Sequence, residues 1–277
     1  MLAAHLDLDD AWGELPAAFA RVEATAWGPK LRYWARGADL DRFYEQVLRP
    51  LPPLVVYGSG DFHHLAAKLA LRFEGPLTIV SFDNHPDWDV RPPAWSCGCW
   101  VNRALEQANV EQVHVWGCGN FELAFPSRVF RNRKGLKEGR LHVYGWAERH
   151  SPAACQRFGC VSRENWRQAF ESFAQSLGGR RVYVTVDMDC LKDGEAVTNW
   201  EQGLFEAVDI AWAIERLKAA AELVGADVCG AASEGVYERG FQRFAARWDH
   251  PKLTLPPMEE ARRVNRVALD ALCATLL

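Results

Sequence analysis

The chain has 277 residues, of which 49% are hydrophobic and 25% are charged, and its formal net charge at pH 7 is −4. This composition is typical of a globular protein, and the mild negative charge excludes the basic surface of a nucleic-acid-binding protein or a polybasic membrane anchor. No apolar run reaches the roughly 18 residues of a membrane helix. The N-terminal segment is acidic where a signal peptide needs a basic start, so we expect a cytoplasmic protein with free, buried cysteines.

Short β-prone runs alternate with helical segments along the chain. The predicted strands are 53–58, 77–82, 113–117, 141–146, 181–186 and 224–232, and the predicted helices are 64–73, 100–108, 164–177, 206–223 and 258–276. Alternation of this kind predicts right-handed crossovers and a parallel sheet covered on both faces by helices. We expect a single domain over residues 1–277, in which the less regular residues 1–50 form a cap.

Three of the predicted strands run directly into acidic residues and histidines. The segment VVYGSGDFHH ends in Asp61, His63 and His64, TIVSFDNHPDWD ends in Asp83, His85, Asp87 and Asp89, and VYVTVDMDCLKD ends in Asp187, Asp189 and Asp193. Ligands of an open parallel sheet bind at the carboxyl ends of the strands. Alternate residues of an extended chain point the same way, so we expect Asp83, His85 and Asp87 to converge, and Asp187 with Asp189.

Carboxylates packed this closely require cations, because like charges a few ångströms apart otherwise suppress ionisation. Two divalent metals about 3.5–4 Å apart would neutralise them. An oxygen-rich set with imidazoles favours Mn²⁺ over a structural zinc site, although other divalent metals could bind. His63 and His64 are adjacent, and the sequence leaves both open as ligands.

The order of these motifs resembles the ureohydrolase family, which contains arginases, agmatinases and formiminoglutamases. That family has Gly-Gly-Asp-His, Asp-Ala-His-x-Asp and Ser-x-Asp-x-Asp motifs, and this chain has GSGDFHH, DNHPD and TVDMD in the same order. The segments SCGCWVNRAL, TNWEQGLF and GADVCG resemble later parts of the family more loosely. The match spans roughly residues 54–235. It implies an arginase-like, three-layer α/β/α fold with a central, mainly parallel sheet.

The resemblance also implies a site with two Mn²⁺ ions per chain. One ion would bind His63, Asp83, Asp87 and Asp187, and the other would bind Asp83, His85, Asp187 and Asp189. Asp83 and Asp187 would bridge the ions, and Asp87 would also orient a bridging hydroxide as a catalytic residue. That hydroxide would attack the planar carbon of a C–N bond.

The departures from the family pattern lie around the expected substrate. Cys97 stands where the family has a proton-transferring histidine, and a thiol can serve this purpose only if its pKa is lowered. Gly230 stands where the family has the glutamate that holds a guanidinium group, and Glu234 is the candidate to replace it. Trp200 and Glu201, in the TNWEQGLF segment, are further candidates for substrate binding.

These observations predict a dinuclear metal hydrolase that acts on a linear C–N bond of an amidine, guanidino, formimino or amide group. The small-molecule substrate is expected to differ from arginine. Two alternatives stay open. One is a catalytically silent metal-binding protein of the same fold with a binding or regulatory role, and the other is a metal-dependent phosphoesterase or deacetylase. The resemblance suggests a homo-oligomer, and we expect no nucleic-acid or membrane partner.

Overall fold

The computed structural model describes residues 2–91 and 94–277. Its strands are β1 (Ala3–Asp7), β2 (Phe19–Glu23), β3 (Trp34–Ala35), β4 (Leu54–Tyr57), β5 (Leu77–Phe82), β6 (Trp95–Ser96), β7 (Val110–Cys118), β8 (Leu141–Gly145), β9 (Arg181–Asp187) and β10 (Glu222–Cys229). Eight of them form one sheet in the order β2-β1-β4-β10-β9-β5-β7-β8, and every neighbouring pair in it is parallel. The short strands β3 and β6 pair separately in antiparallel fashion.

The helices cover the sheet and follow the predicted alternation with the strands. They are α1 (Gly28–Leu31), α2 (Gly37–Phe43), α3 (Leu65–Ala70), α4 (Trp100–Leu105), α5 (Arg133–Lys137), α6 (Pro152–Phe158), α7 (Trp166–Ser176), α8 (Ala207–Ala220), α9 (Gly240–Asp249) and α10 (Met258–Leu276). Helix α7 illustrates the sequence signal, since Trp166, Phe170 and Phe173 recur at helical spacing and are buried. Within the described residues, no helix is both long enough and apolar enough to cross a bilayer.

Two hydrophobic cores lie on opposite faces of the sheet. In β5, Val80 and Phe82 pack in the core formed with α7, α8 and α10, whereas Leu77 and Ile79 pack in the core formed with α2, α3 and α4. All six residues of β5 are buried, as expected for a central strand with helices on both sides. This arrangement confirms the predicted three-layer α/β/α fold.

The first fifty residues contribute more to the sheet than the predicted cap would. Strand β1 is buried along its whole length and pairs with both β2 and β4. Its sequence, AAHLD, is short and contains two polar residues, so its pattern does not reveal a buried strand. The sheet therefore extends two strands beyond β4 into the segment expected to form a cap.

A buried arginine joins this N-terminal segment to the rest of the domain. Arg32 donates to Asp61 (Nε to Oδ2, 2.7 Å), to Asp9 (Nη1 to Oδ2, 3.1 Å) and to Ser233 (Nη2 to Oγ, 2.8 Å). The second oxygen of Asp61 lies 2.7 Å from Nε2 of His250. Asp61 thus serves this structural network, although it follows β4 as closely as the candidate ligand His63 does.

We expect Asp61→Asn to weaken the acid dependence of stability. Burial alone would raise the pKa of Asp61, but Arg32 and His250 together lower it to about 2. An unfolded aspartate has a pKa of about 3.9, so Asp61 stabilises the folded state by roughly 2–3 kcal/mol above about pH 4. This contribution is lost as the pH falls towards 2.

Urea unfolding at a series of pH values would measure the effect. The free energy of unfolding of Asp61→Asn should be lower at neutral pH and should change less between about pH 4 and pH 2 than that of the wild type. The exposed Asp270→Asn serves as the control. An unchanged slope in Asp61→Asn would contradict the prediction.

Candidate metal centre

The predicted metal ligands meet at the carboxyl ends of three strands, β4, β9 and β5, which lie in the run β4-β10-β9-β5 of the sheet. His63 follows a short turn after β4, the DNHPD segment follows β5, and Asp187 ends β9. The side chains of His63, Asp83, Asp187 and Asp189 are all buried. The parallel sheet therefore brings together groups that lie more than a hundred residues apart in the chain.

The first group of candidate ligands surrounds His63. Its Nδ1 lies 3.1 Å from Oδ2 of Asp83, 3.4 Å from Oδ2 of Asp87 and 3.5 Å from Oδ2 of Asp187. The ligand atoms of His63, Asp83 and Asp87 all lie within 4.8 Å of one another. Three side chains thus face a common point.

The second group surrounds His85 and shares Asp83 with the first. Nδ1 of His85 lies 2.8 Å from Oδ2 of Asp189 and 3.7 Å from Oδ1 of Asp83. The two oxygens of Asp83 therefore face different groups, Oδ2 towards His63 and Oδ1 towards His85. A carboxylate in this position can bridge two cations.

Without cations the centre retains protons. Burial, together with the neighbouring Asp189, raises the pKa of Asp187 to about 8. Burial and the charge of Asp83 also raise the pKa of Asp87. Burial would lower the pKa of His63 and His85, but the surrounding carboxylates raise both pKa values. Divalent cations would displace these protons, because metal ligands bind in their deprotonated forms.

Two buried atoms lack the hydrogen bond that burial normally requires. Nδ1 of His63 and Oδ2 of Asp83 face each other, and neither makes a hydrogen bond within the described residues. Both are good metal ligands, and buried polar atoms without partners are uncommon in folded proteins. The residues present therefore fit divalent metal ions at this position.

The geometry distinguishes between the two adjacent histidines. His64 is fully buried, and neither ring nitrogen makes a hydrogen bond within the described residues. Burial and the neighbouring His63 lower the pKa of His64 to about 3. Of the pair, only His63 belongs to the groups of converging ligand atoms. The structure thus favours His63 as the ligand.

A buried network beneath the centre fixes the tautomer of His63. Nε2 of His63 lies 2.9 Å from Oγ1 of Thr185, and this hydroxyl donates to Oδ1 of Asp227 at 2.7 Å. Since the hydroxyl proton points to Asp227, Nε2 must carry the hydrogen that Thr185 accepts. Tyr57 and Tyr183 also donate to Asp227. The lone pair of Nδ1 is therefore directed at the candidate metal centre.

We expect Thr185→Val to weaken metal binding without unfolding the protein. Valine has nearly the same shape, but it removes the acceptor that holds His63 in the required tautomer. Loss of such a supporting group typically reduces metal affinity by about 10–100-fold. Isothermal titration of metal-free protein with Mn²⁺ would measure this change. Thr185→Ser is the matched control and should bind Mn²⁺ nearly as tightly as the wild type. If Thr185→Val binds Mn²⁺ with the same affinity as the wild type, the prediction is wrong.

Asp87 is held in place by an unusual backbone and by a tryptophan. Its φ angle is +46°, which is uncommon for a residue other than glycine. Its Oδ2 accepts a hydrogen bond of 2.6 Å from Nε1 of Trp100, which is buried. The turn of the DNHPD segment thus directs Asp87 back towards His63.

Gly230, which follows β10, allows the backbone to approach Asp187 closely. A Cβ atom at this position would lie 2.1 Å from Oδ1 of Asp187 and 2.6 Å from the backbone nitrogen of Met188. The φ angle of Gly230 is +103°, which also disfavours any side chain. An acid at position 230, which the family resemblance would require, is therefore excluded by contact with a candidate ligand.

A cavity opens onto the candidate ligands. Apart from the four aspartates and His85, its lining comprises Gly60, Cys97, Gly98, Asn120, Phe121, Glu122, Trp200, Glu201 and Asp249. Three of these residues are acids, and within residues 2–91 and 94–277 no lysine or arginine lines the cavity. Trp200 packs between His85 and His250, with ring centroids 5.4 Å and 4.5 Å away. The cavity wall is therefore acidic and partly aromatic.

Cys97 lines the cavity, but its surroundings do not favour a thiolate. Burial raises the pKa of the Cys97 thiol well above its usual range, and the nearby Asp61 and Asp87 raise it further. The condition for proton transfer by this thiol, a lowered pKa, is not met. Cys97 thus forms part of the wall.

The structure separates the three candidates for substrate binding. Trp200 and Glu201 both line the cavity, and Oε2 of Glu201 lies 3.5 Å from Nε2 of His85. Glu234 does not line the cavity. Glu234 is exposed and lines a different surface cavity, and its backbone oxygen accepts from Arg32. Glu234 lies beyond the end of β10, in a segment without regular secondary structure.

Two acids of the cavity, Glu122 and Asp249, were not predicted from the sequence. Glu122 lies in a short turn, Phe121–Leu123, after β7, and Asp249 ends α9. The sequence GNFE after β7 does carry a signal, because β7 is the neighbour of β5 and its carboxyl end lies at the same edge of the sheet. Asp249 has no comparable signal, since helix α9 lies far along the chain from every metal motif.

Comparison with known proteins supports this description. The sequence profile of the arginase family matches residues 56–232, more than half of the chain. No curated protein sequence matches the chain significantly.

Several solved structures have the same fold. Agmatine ureohydrolase of Thermoplasma volcanium is 14% identical, with 99% of this chain and 90% of that chain covered and a TM-score of 0.56. A putative agmatinase from Clostridium difficile is 12% identical, with coverages of 93% and 78% and a TM-score of 0.57. Arginase from Bacillus subtilis is 12% identical, with coverages of 98% and 98% and a TM-score of 0.56. Identities this low establish the shared fold alone.

Proposed function

The chain belongs to the arginase family, and from this premise we propose that it is a metal-dependent hydrolase of a linear, non-peptide C–N bond. The bond would lie in an amidine, guanidino, formimino or amide group of a small molecule. The observation that carries this proposal is that two of the three convergent groups among the described residues, His63/Asp83/Asp87 and Asp83/His85/Asp189, share one carboxylate. The third group, His63/Asp187/Cys229, places Asp187 beside His63. A shared carboxylate between two such groups suits two metal ions better than one.

We further propose that the ions are Mn²⁺, two per chain. The ligands would be His63, Asp83, His85, Asp87, Asp187 and Asp189. Carboxylates outnumber imidazoles in this set, which favours a hard divalent ion such as Mn²⁺. Two such ions would supply a water of lowered pKa and would polarise the carbon under attack.

The remaining residues of the site bind and orient. Asp87, fixed by Trp100, has its carboxylate beside His63 and can orient a water through a hydrogen bond. Trp200 offers an aromatic surface against which a flat amidine or guanidino group could stack. Glu201, which is only partly buried, can accept a hydrogen bond from a substrate N–H.

The charge of the cavity narrows the substrate class. Glu122, Glu201 and Asp249 would repel an anionic group, and no described lysine or arginine of the cavity would hold one. This argues against a phosphoesterase. The absence of a side chain at Gly230 and the exposed position of Glu234 both argue against arginine as the substrate. We therefore propose a neutral or cationic substrate.

An assay of C–N cleavage tests the proposal. Protein loaded with Mn²⁺ would be incubated with guanidino, amidine, formimino and amide compounds, and release of ammonia or urea would be measured. We expect cleavage of at least one neutral or cationic compound, no hydrolysis of an aryl phosphate, and loss of activity with a chelator. Elemental analysis should give about two metal ions per chain.

Other outcomes would support the alternatives. Hydrolysis of the aryl phosphate without any C–N cleavage would identify a phosphoesterase. Full metal occupancy without turnover of any compound would favour a silent, metal-binding member of the family.

A further inference from the structure

Glu122 is a cavity-lining acid that the proposed metal ligands leave free. Its Oε2 accepts a hydrogen bond of 3.0 Å from Nδ2 of Asn120, and its backbone nitrogen donates to Oδ1 of the same asparagine. Its Oε1 makes no hydrogen bond within the described part of the chain. One carboxyl oxygen is thus fixed, while the other is available to a bound molecule.

The turn that carries Glu122 is tied directly to the metal-binding segment. The backbone nitrogens of Gly119 and Asn120 both donate to the carbonyl oxygen of Asn84, at 3.1 Å and 3.3 Å. Asn84 stands between Asp83 and His85, and its own nitrogen donates to Oδ1 of Asp189 at 3.0 Å. Each link is a hydrogen bond to backbone, so the position of Glu122 relative to the candidate ligands is preorganised.

We propose that Glu122 is the proton-transfer residue of the C–N cleavage, an inference that rests on the proposed function. Water adds to the planar carbon, so that the C–O bond forms as the π bond of the C=N or C=O group opens onto its heteroatom, and a water proton passes to the Glu122 carboxylate. The π bond then re-forms as the C–N bond breaks, and the electron pair of the C–N bond stays on the departing nitrogen. Glu122 gives the proton to this nitrogen, which leaves as an amine, and the carboxylate is restored.

The surroundings of Glu122 suit proton transfer better than those of the other cavity residues. Burial raises the pKa of Glu122 to about 7; the charge of His85 and the hydrogen bond from Asn120 lower it, and the charges of Asp249 and Asp89 raise it further. A group that titrates near the working pH can both accept and donate a proton. Glu201, by contrast, has its Oε2 3.5 Å from Nε2 of His85, a candidate ligand, and is therefore already engaged.

The variant Glu122→Gln tests the inference, because it preserves shape and the contact with Asn120. On the compound that the wild type cleaves best, we expect kcat to fall by about 100–1000-fold with little change in KM. Mn²⁺ content should be unchanged, and the pH dependence of kcat near neutrality should disappear. Glu111→Gln, at the exposed amino end of β7, is the matched control and should behave as the wild type.

Infrared difference spectra of the Mn²⁺-loaded proteins give a second readout, independent of turnover. We expect a carboxyl group that titrates near neutral pH in the wild type and in Glu111→Gln but not in Glu122→Gln. The inference is wrong if this group persists in Glu122→Gln, or if that variant keeps its rate and pH profile. A raised KM with unchanged kcat would also overturn it, since Glu122 would then only bind substrate.

These results distinguish failure of the inference from failure of the proposed function. If the wild type cleaves no C–N compound, the proposed function fails and the inference fails with it. If the wild type is active and Glu122→Gln is equally active, the inference alone fails.

Discussion

Asp187→Asn is expected to remove most of the bound metal and to reduce C–N cleavage by more than about 1000-fold. Asp187 ends the central strand β9, lies 3.5 Å from His63 and accepts a hydrogen bond from the backbone nitrogen of Asp189. Asparagine has nearly the same shape as aspartate, but it removes one negative charge. Its amide directs either an oxygen or an amino group towards the proposed cations. Elemental analysis and the cleavage assay would measure the two losses separately.

The control for this variant lies six residues further along the chain. Asp193→Asn removes the same charge from an exposed residue outside the ligand groups. It should retain full metal content and full activity, which would show that the effect depends on position and not on net charge. Full metal content in Asp187→Asn would contradict the proposed centre.

Gly230→Ala is expected to destabilise the protein by roughly 2–5 kcal/mol and to disrupt the metal centre. The added methyl group would overlap Oδ1 of Asp187 and approach the backbone of Met188. Neither group can move away easily, because Asp187 belongs to the buried strand β9 and Met188 follows it in the hydrophobic core. Thermal unfolding and Mn²⁺ titration would measure the two effects.

Gly240→Ala provides the comparison for Gly230→Ala. A Cβ atom at Gly240 would contact nothing within 4 Å, and this residue starts α9. We expect its stability to lie within about 1 kcal/mol of the wild type and its metal binding to be unchanged. If Gly230→Ala and Gly240→Ala are equally stable, the close approach of Gly230 to Asp187 does not limit which side chain position 230 can carry.

The sheet and the candidate ligands were predictable because local patterns encode them. A run such as LTIVSF, buried on both faces, can only be a central strand when helices flank it in the sequence. The acids that follow such strands must then meet at one edge. The family resemblance, which the arginase profile confirms, rests on these same segments. The assignment of individual ligands stays a prediction until metal is measured.

The features that could not be predicted from the sequence depend on contacts between distant parts of the chain. The sequence near Gly230 does not reveal that Glu234 is exposed, nor that the backbone of Gly230 packs against Asp187 of another strand. Asp249 reaches the cavity through the packing of α9, and its hydrogen bond with Tyr33 spans 216 residues. Strand β1 is recognisable only from its partners in the sheet.

The order of the strands has a consequence for synthesis of the protein. Strand β4 lies between β1 and β10, so residues 54–57 find one neighbour early and the other only after residue 222 has left the ribosome. Strand β5 likewise waits for β9. Contacts this remote in sequence form late and slowly. The aspartates and histidines before residue 90 are therefore made long before their surroundings exist, and the proposed metal ions would be acquired by a nearly complete polypeptide.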